Sequence, residues 1–499
     1  MSYSIDLHCH PTIKSFGRSF STREVGINAK DKSKKSSIWY YDPPQDLLDI
    51  PLQKIFGLTK FNQSDFSEMA YGNIKVVCTS LYRIEDGLVR FNILEAGNAT
   101  RFLANLISGL GEERIRHLQN TPDYFPELKR EYDYLCQLNG EVIHFRGEIS
   151  RRYILVKNYN DLAQKMAEHE PDTNIQTIYV INTFEGAHHF FNHRTDIDPN
   201  DIVSHEDEIL TNIYKVKEWE YKPFFITFGH HFYNGLCGHA ESFTDFIQDL
   251  LTHQEWMMDT GMNSLGWKVV QALLDNSGGK RIHIDIKHMS YKSRIEYIRY
   301  LKTNYPDEYA AKQIPLIISH GACNGLSSKE NPTYHPGLEG TAKNMYVGDI
   351  NFYDVELLEM ARSGGIIGLQ FDERRIASKQ YKNSLRKLFA SRNERRHSNS
   401  KMLWNNIQHI VQLLDAHGLF AWDCIAIGSD HDGIIDPINL FWTSEDMDDM
   451  LQYTERHAYN FLTDPNTTFQ VAANKISAAE AVQRIFYSNS YEFFRRYFR

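Results

Sequence analysis

The chain has 499 residues, of which 42% are hydrophobic, 24% charged and 13% aromatic, and its formal net charge at pH 7 is -10. This composition is typical of a globular protein with large cores, and the negative charge argues against general affinity for nucleic acid. No stretch of about 18 apolar residues occurs, so we expect no membrane-spanning helix. The first residues lack a basic segment followed by an apolar one, so we expect no signal peptide.

The cysteines are scattered along the chain without a C-x-x-C pair, and several lie in apolar runs. This pattern predicts buried free thiols in a reducing compartment, and therefore a cytoplasmic protein. The six cysteines are Cys9, Cys78, Cys136, Cys237, Cys323 and Cys424.

Short apolar runs recur along the chain, separated by longer segments with helical periodicity such as 293–305 and 353–363. The runs are rich in Ile, Val and Phe and mostly unalternating, as is typical of strands buried on both faces. Eight alternations of strand and helix predict an α/β fold, a (β/α)8 TIM barrel. The eight runs occupy 4–10, 74–81, 175–186, 222–231, 281–288, 314–320, 364–371 and 423–433.

Three connections are longer than the others. Residues 14–60 are polar and partly rich in Lys and Ser, residues 95–150 are charged and helical in pattern, and residues 374–403 are strongly basic. Because each is flanked by predicted barrel strands, we interpret all three as insertions into one domain that spans 1–499. The sequence has no internal repeat and no extended low-complexity tract.

The stretch SIDLHCHP, residues 4–11, places two histidines two residues apart at the end of the first run. Side chains two apart on a strand point to the same face, so His8 and His10 could bind one ion together, and Asp6 shares that face. A chain with 22 histidines contains about one such pair by chance, so the pattern by itself equally fits a polar strand edge.

The positions of the other polar residues strengthen the metal interpretation. In a parallel barrel the carboxyl ends of the strands converge on one mouth, where active sites lie. One histidine after a strand is as readily a core or rim residue as a ligand, but such residues end six of the eight runs. They are His8 and His10, Glu185, His230 and His231, His288, His320, and Asp430.

These residue types suit zinc and related divalent ions. Two ions about 3.5–4 Å apart need a bridging ligand, which Glu185 between histidines can supply. Such a pair lowers the pKa of a shared water, and the resulting hydroxide attacks a carbonyl or phosphoryl centre. Asp430 can ligate a metal and also take and return the proton.

The ordered motifs resemble the membrane dipeptidase (renal dipeptidase, peptidase M19) branch of the amidohydrolase superfamily, from end to end of the chain. The resemblance implies two zinc ions and a small-molecule substrate, while the net charge and the lack of a long apolar stretch predict no nucleic-acid or membrane partner. Family members are often dimers, so a homodimer is an open expectation. The matching segments are DLHCHP, NTFEG, ITFGHHFYN, GMNSLGWKVV, IDIKHMS, IISHGACNGL and IGSDHDGI.

Carried over residue by residue, the resemblance implies roles for eight positions. His8 and His10 would hold one ion, and His288 and His320 the second. Glu185 would bridge the ions, and Asp430 would face the nucleophilic water. His230, followed in the chain by Asn234, would lie where the family has a histidine that polarises the substrate. From its position two residues past Asp430 on the same face, we interpret Asp432 as a support for the ligands, and we interpret His188 and His189, just after Glu185, as loop residues near the rim.

Two positions depart from the family pattern. The family's first motif is usually His-x-Asp, whereas this chain has His-x-His, which puts the metal preference in doubt. The family's carboxylate-binding arginine precedes the Asn that opens the helix between strands 6 and 7, whereas here Ile350 precedes Asn351. Dipeptide specificity therefore does not carry over.

Arginines of the third insertion offer a replacement. Arg374 and Arg375 follow the seventh run near the predicted mouth, and arginine suits carboxylate or phosphate because its donors form a fork. The insertion could recruit an anionic substrate, or it could be a solvated basic helix. Further cations of the insertion include Arg386, Lys387, Arg392, Arg395 and Arg396.

The leading hypothesis is a binuclear metal hydrolase that cleaves an amide, peptide-like bond of a small substrate. One alternative is phosphoester or lactone hydrolysis by the same metal pair, with the arginines after the seventh run binding the anion. Another is a catalytically silent barrel that acts as a binding module through its insertions.

Overall fold

The computed structural model describes the chain in eight stretches. They are residues 3–22, 24–44, 61–89, 98–121, 123–191, 205–243, 254–385 and 390–499. In these stretches nine strands form one sheet: β1 (Ser4–Cys9), β2 (Ile74–Leu81), β3 (Ser150–Leu155), β4 (Ile175–Glu185), β5 (Phe225–Thr227), β6 (His283–Asp285), β7 (Ile317–Gly321), β8 (Ile366–Leu369) and β9 (Ile425–Ile427).

Eight of these strands follow one another around a barrel in the order β1-β2-β4-β5-β6-β7-β8-β9, and every pairing is parallel. Beyond the strand ends, Cys9 forms a parallel bridge with His431, and the His10 amide donates to the His431 carbonyl at 2.9 Å. The first and last strands thus close the ring. Each barrel strand lies in one of the eight predicted apolar runs, so the predicted barrel is confirmed.

The strand β3 is absent from the prediction. It pairs in parallel with the first half of β4, from Ser150 opposite Ile175 to Leu155 opposite Val180. The long strand β4 meets β5 only at its last two residues, Phe184 and Glu185. Its first half therefore has a free edge, which β3 occupies outside the barrel path.

Helices connect the strands. They are α1 (Ile13–Ser19), α2 (Phe66–Tyr71), α3 (Asn98–Ser108), α4 (Glu112–Asn120), α5 (Tyr124–Cys136), α6 (Tyr159–His169), α7 (Glu206–Lys217), α8 (Ser264–Leu274), α9 (Tyr291–Asn304), α10 (Pro306–Ala310), α11 (Glu339–Ala342), α12 (Asp354–Arg362), α13 (Glu373–Ile376), α14 (Lys379–Leu385), α15 (Arg392–Ala416), α16 (Met447–Thr463), α17 (Ala478–Gln483) and α18 (Asn489–Tyr497).

The core lies on both faces of the sheet, as the unalternating runs predict. Every residue of β1, β7 and β8 is buried. The last helix closes one side of this core, where Phe493 and Phe494 of α18 join a cluster with Ile5 and Ala426. A barrel buried on both faces holds the strand ends in fixed positions, which is what a site built from several strands requires.

The insertions differ in structure. Residues 98–136 form three helices, α3 to α5, in agreement with their helical pattern. The third insertion contains α13, α14 and the start of α15, while Arg386 and Lys387 lie outside the described residues. All six cysteines are free thiols, five of them buried and Cys136 half-buried. Within the stretches described above, no helix is long and apolar enough to cross a membrane.

Candidate metal centre

The carboxyl ends of the barrel strands bring the six predicted metal ligands together, and all six are buried. Their ligand atoms form two groups, and within each group all atoms lie within 4.8 Å of one another. One group contains His8, His10, Glu185 and Asp430, and the other contains Glu185, His288 and His320. Glu185 belongs to both groups, so its carboxylate lies between them.

The Glu185 carboxylate at the end of β4 is surrounded by imidazole nitrogens. Its Oε1 lies 3.4 Å from Nε2 of His8, 3.4 Å from Nε2 of His320 and 3.5 Å from Nε2 of His288. Its Oε2 lies 3.0 Å from Nε2 of His10 and 3.4 Å from Nε2 of His230. The Glu185 carboxylate therefore lies among histidines of both ligand groups.

Asp430 completes the arrangement from the chain after β9. Its Oδ1 lies 3.8 Å from Nε2 of His8 and 3.7 Å from Nε2 of His10, and its Oδ2 lies 3.8 Å from Nε2 of His320. The Asp430 amide donates to the His8 carbonyl at 2.9 Å, which fixes the two ends of the closed ring against each other. The aspartate thus reaches both groups of ligands.

Several of these atoms make no hydrogen bond to any residue that the structure describes. His8 Nε2, His10 Nε2 and Glu185 Oε1 are buried without a hydrogen bond. Buried polar atoms without partners are destabilising, and a cation bound among them would satisfy all three. The donor set of imidazoles and carboxylates suits zinc and related ions, so the residues present fit a metal.

Outer contacts orient the histidines with Nε2 toward the centre. His10 Nδ1 lies 2.9 Å from the Ser80 carbonyl, to which only an N–H can donate. The Ser319 hydroxyl lies 3.1 Å from His8 Nδ1 and 3.0 Å from His320 Nδ1. Such contacts leave the opposite ring nitrogen free as a metal ligand.

Two of the predicted ligands have strained backbones. His288 has φ 64° and Asp430 has φ 61°, in the left-handed region that side chains other than glycine rarely adopt. Such conformations are costly and cluster at functional sites, where the surrounding structure holds them. Here both residues follow a strand at the barrel mouth, and the sharp turn directs each side chain back over the strand ends.

The electrostatics of the centre demand positive charge. Burial by itself would raise the pKa of Glu185, but His230, His8 and His10 hold that pKa well below its usual range. The same carboxylate raises the pKa of His10 to about 10 against the opposing effect of burial. The ionised, buried Glu185 carboxylate therefore favours positive charge beside it, which either protons on the histidines or metal ions can supply.

Glu85, a residue that the sequence interpretation missed, orients His230. Its Oε1 lies 2.8 Å from His230 Nδ1 and accepts the His231 amide at 3.2 Å, while the Tyr82 hydroxyl donates to its other oxygen. The pairing directs His230 Nε2 toward Glu185. Glu85 comes four residues after β2. The predicted run at β2 does not end in a histidine or a carboxylate, and this missing polar residue was the available sequence signal.

The other predicted polar residues lie around the centre in different ways. Within the described residues, the Asn234 side chain forms hydrogen bonds only with backbone atoms. It donates to the Phe228 carbonyl at 2.6 Å and accepts the Leu236 and Cys237 amides. His231 packs its ring 4.5 Å from that of Phe243 and 5.2 Å from that of His288. Asn234 thus shapes the loop after β5, in which His230 faces Glu185.

Three residues expected near the rim or behind the ligands are buried and bonded to other segments. His189 Nε2 accepts the Arg83 amide at 2.9 Å, and His188 Nε2 lies 3.0 Å from the Arg83 carbonyl. Asp432 accepts the amides of Gln63 and Ser64 at 3.0 Å and pairs with Lys14 at 2.7 Å. These residues anchor the flanking loops to the mouth.

The arginines of the third insertion have different environments. Arg374 forms a two-pronged ion pair with Asp372 and also donates to the Ile434 carbonyl. Arg396 pairs with Asp446 and Asp449. The Arg375 guanidinium is buried, donates to the Ser242 carbonyl and lies 5.4 Å from the Tyr346 ring centre. Among the residues that the structure describes, Arg375 is the one of these three without a carboxylate within 4.0 Å.

Lys287, immediately before His288, is a further buried cation that the sequence interpretation did not single out. Its Nζ makes one long hydrogen bond, 3.5 Å to the Ile350 carbonyl. Burial lowers the pKa of Lys287 to about 8, although Asp430 opposes that change. Its position in the middle of a strand-end motif, IDIKHMS, gave no sign of where the ammonium lies.

No protein-family model matches the sequence, and no curated protein sequence matches it. Similar solved structures include a dipeptidase of metallopeptidase family M19, with 13% identity, a TM-score of 0.47, and coverage of 100% of this chain and 99% of that one. A metallopeptidase from Rhodobacter sphaeroides, bound to a phosphinate mimic of the dipeptide L-Ala-D-Ala, has 13% identity, a TM-score of 0.47 and 99% coverage of both chains.

A probable dipeptidase from Pseudomonas aeruginosa has 12% identity, a TM-score of 0.45, and coverage of 87% of this chain and 88% of that one. At such identities the likeness concerns the fold, and the barrel described above rests on its own strand order.

Proposed function

We propose that the protein is a metal-dependent hydrolase that cleaves an amide, peptide-like bond of a small substrate. The observation that carries the proposal is the environment of Glu185. Its buried, unpartnered Oε1 lies within 3.5 Å of Nε2 atoms that come from three different strand ends. Such an arrangement costs free energy in the folded protein and is repaid only when a cation binds there.

In the proposed centre His8 and His10 would hold one ion and His288 and His320 would hold the second, while Glu185, which belongs to both groups of ligand atoms, would serve both ions. Imidazole and carboxylate donors make zinc the first expectation for both positions. When bound, the ions supply Lewis-acid chemistry and an activated water. Asp430 faces both groups and could also bind one ion.

The chain supplies the proton transfer and the orientation of the substrate. Burial raises the pKa of Asp430, as suits a carboxylate that takes a proton at Oδ1 or Oδ2 and returns it to the leaving amine. His230, held by Glu85, presents Nε2 to the centre and contacts the substrate there. Asn234 shapes the loop that carries His230, and Arg374 orders the chain after β8 through Asp372.

Metal content tests the centre directly. We expect about two zinc ions per chain after purification without chelator. His288→Asn should lose at least one ion, because it removes a ligand of the second position. His283→Asn is the matched control, since His283 is also buried and lies at the opposite end of the same strand, β6. Fewer than one ion in the unaltered protein would refute the proposal.

A substrate panel tests the reaction. Zinc-loaded protein is assayed on dipeptides, N-acyl amino acids, phosphoesters and lactones, with Glu185→Gln as the inactive reference. We expect turnover of an amide that Glu185→Gln abolishes. Turnover of phosphoesters or lactones alone would replace the amide proposal, and metal binding without any turnover would favour a binding module.

A further inference from the structure

Lys287 and Arg375 are buried cations without a counterion. Their exposures are 1% and 6%, and neither has a carboxylate within 4.0 Å in the part of the chain that the structure describes. Buried charges in proteins are normally paired, because an unpaired one loses its hydration without compensation. Two such cations therefore need an explanation.

Both cations are tied to the candidate centre by the chain or by hydrogen bonds. Lys287 directly precedes His288. Arg375 donates to the carbonyl of Ser242, whose hydroxyl lies 3.4 Å from His288 Nδ1. One buried residue, Ser242, thus joins the guanidinium to a predicted metal ligand.

The loop between β7 and β8 contacts the Lys287 ammonium and the main chain of Arg375. The Ile350 carbonyl accepts the Lys287 ammonium at 3.5 Å, and the Asn351 side chain donates to the Arg375 carbonyl at 2.7 Å. The neighbouring arginines Arg374 and Arg396 are neutralised by aspartates. Among the described residues, Lys287 and Arg375 therefore lack the direct ion pairs that Arg374 and Arg396 have.

We propose that Lys287 and Arg375 form an anion subsite, which holds a negatively charged group of the substrate beside the bond that is cleaved. The inference rests on the proposed hydrolase function, because the subsite adjoins His288 of that centre. A guanidinium fork binds a carboxylate or a phosphate through two parallel hydrogen bonds, and the ammonium adds a second charge. The substrate is then an acidic small amide that carries one of these groups.

Anion binding is measured first, because it needs no turnover. Inorganic phosphate and succinate are titrated calorimetrically into zinc-loaded protein, in the unaltered form and as Lys287→Met and Arg375→Gln. We expect the dissociation constant of at least one anion to rise by about 10- to 100-fold in each variant. The preferred anion distinguishes a phosphate from a carboxylate subsite.

Lys217→Met is the matched control, since Lys217 is also buried and donates to a backbone carbonyl, that of Asp275, away from the centre. We expect it to bind both anions as the unaltered protein does. Lys287→Arg should retain most of the affinity, because it keeps the charge. Equal anion binding by the unaltered protein, Lys287→Met and Arg375→Gln would overturn the subsite.

A kinetic experiment separates the subsite from the catalytic proposal. N-acyl amino acids are compared with their carboxamides and with phosphonate analogues. In Lys287→Met we expect KM for the acidic amide to rise about 10-fold or more, with little change in kcat and none for the carboxamide. If Lys287→Met prefers the acidic amide over the carboxamide as strongly as the unaltered protein does, the subsite is overturned and the hydrolase proposal is not. If the unaltered protein turns over no amide, the hydrolase proposal is contradicted, and the calorimetric result still decides the anion subsite.

Discussion

Two buried glutamates of this protein have opposite surroundings. Glu127 of α5 receives Arg114 on one oxygen, and on the other it contacts His117 at 2.9 Å and Arg130 at 2.8 Å. Glu185 at the end of β4 has an oxygen without a hydrogen bond, although imidazole nitrogens surround it. One cluster is complete within the protein, whereas the other becomes complete only with a cation.

The comparison teaches how a structural ion cluster differs from a ligand site. Both carboxylates are buried, and in both cases cationic or titratable neighbours hold the pKa below the usual range against the opposing effect of burial. Burial and charge alone therefore do not identify a site. What distinguishes Glu185 is its position among imidazole nitrogens of five histidines, with one oxygen that makes no hydrogen bond to any described residue.

The largest effect is expected from a substitution of Glu185, whose cluster is incomplete without a cation. Glu185→Gln should weaken zinc binding more than about 100-fold, since loss of a bridging ligand exceeds the roughly 10- to 100-fold cost of altering an outer contact. Chelator competition measures the zinc affinity. Glu127→Gln is the control and should bind zinc as the unaltered protein does. Unchanged zinc affinity in Glu185→Gln would show that this carboxylate is not a ligand.

The complementary change breaks the complete cluster. Glu127→Gln should lower the free energy of unfolding by about 3 kcal/mol, because it leaves the buried Arg114 without its partner. Urea unfolding measures the difference. Glu113→Gln is the matched control, because its pair with Arg116 on α4 is exposed and should contribute less than about 1 kcal/mol. Equal losses in the two variants would contradict the structural role of Glu127.

Acid should weaken the complete cluster in a defined range of pH. The pKa of Glu127 falls from 4.5 to about 2: burial would raise it, but His117 and Arg114 outweigh burial. A group with a lowered folded-state pKa stabilises fully above its unfolded value, and that contribution is lost as the pH falls from about 4.5 toward about 2. Urea unfolding at pH 5, 4 and 3 should show this loss in the unaltered protein and a smaller one in Glu127→Gln.

A smaller effect is expected where the centre meets its outer contacts. Ser319→Ala removes the hydroxyl between His8 and His320, and we expect zinc affinity to fall about 10-fold. Ser400→Ala is the matched control, because its buried hydroxyl lies 3.0 Å from His457 Nε2 on a helix pair away from the barrel mouth. It should cost about 1 kcal/mol of stability and no zinc affinity. A loss of zinc affinity in both variants would point to a general loss of packing.

The sequence predicted the barrel because buried strands have a local signature. Runs such as 74–81 and 314–320 are apolar on both faces, and turns and helical segments separate them. It missed β3 because SRRYIL reads as a mixed polar segment whose pairing depends on the free edge of the distant strand β4. Strand pairing of this kind is decided by geometry that no local pattern records.

The six predicted ligands were readable for the same reason, since a polar residue that ends an apolar strand must lie at the barrel mouth. Their roles as ligands remain predictions for the metal measurements to decide. Glu85 was not readable, because it lies in an irregular segment after β2 and reaches His230 only through the path of that segment.

By itself the sequence therefore determined the fold, the strand order and the end of the barrel at which chemistry can occur, since these follow from hydrophobic period and position along each strand. Only the tertiary structure decided which charges are paired. Arg374 and Arg375 are neighbours in sequence. Arg374 is neutralised by Asp372, whereas Arg375 is buried and, among the described residues, has no carboxylate within 4.0 Å. Pairing depends on distances between segments far apart in the chain, which packing sets and composition does not.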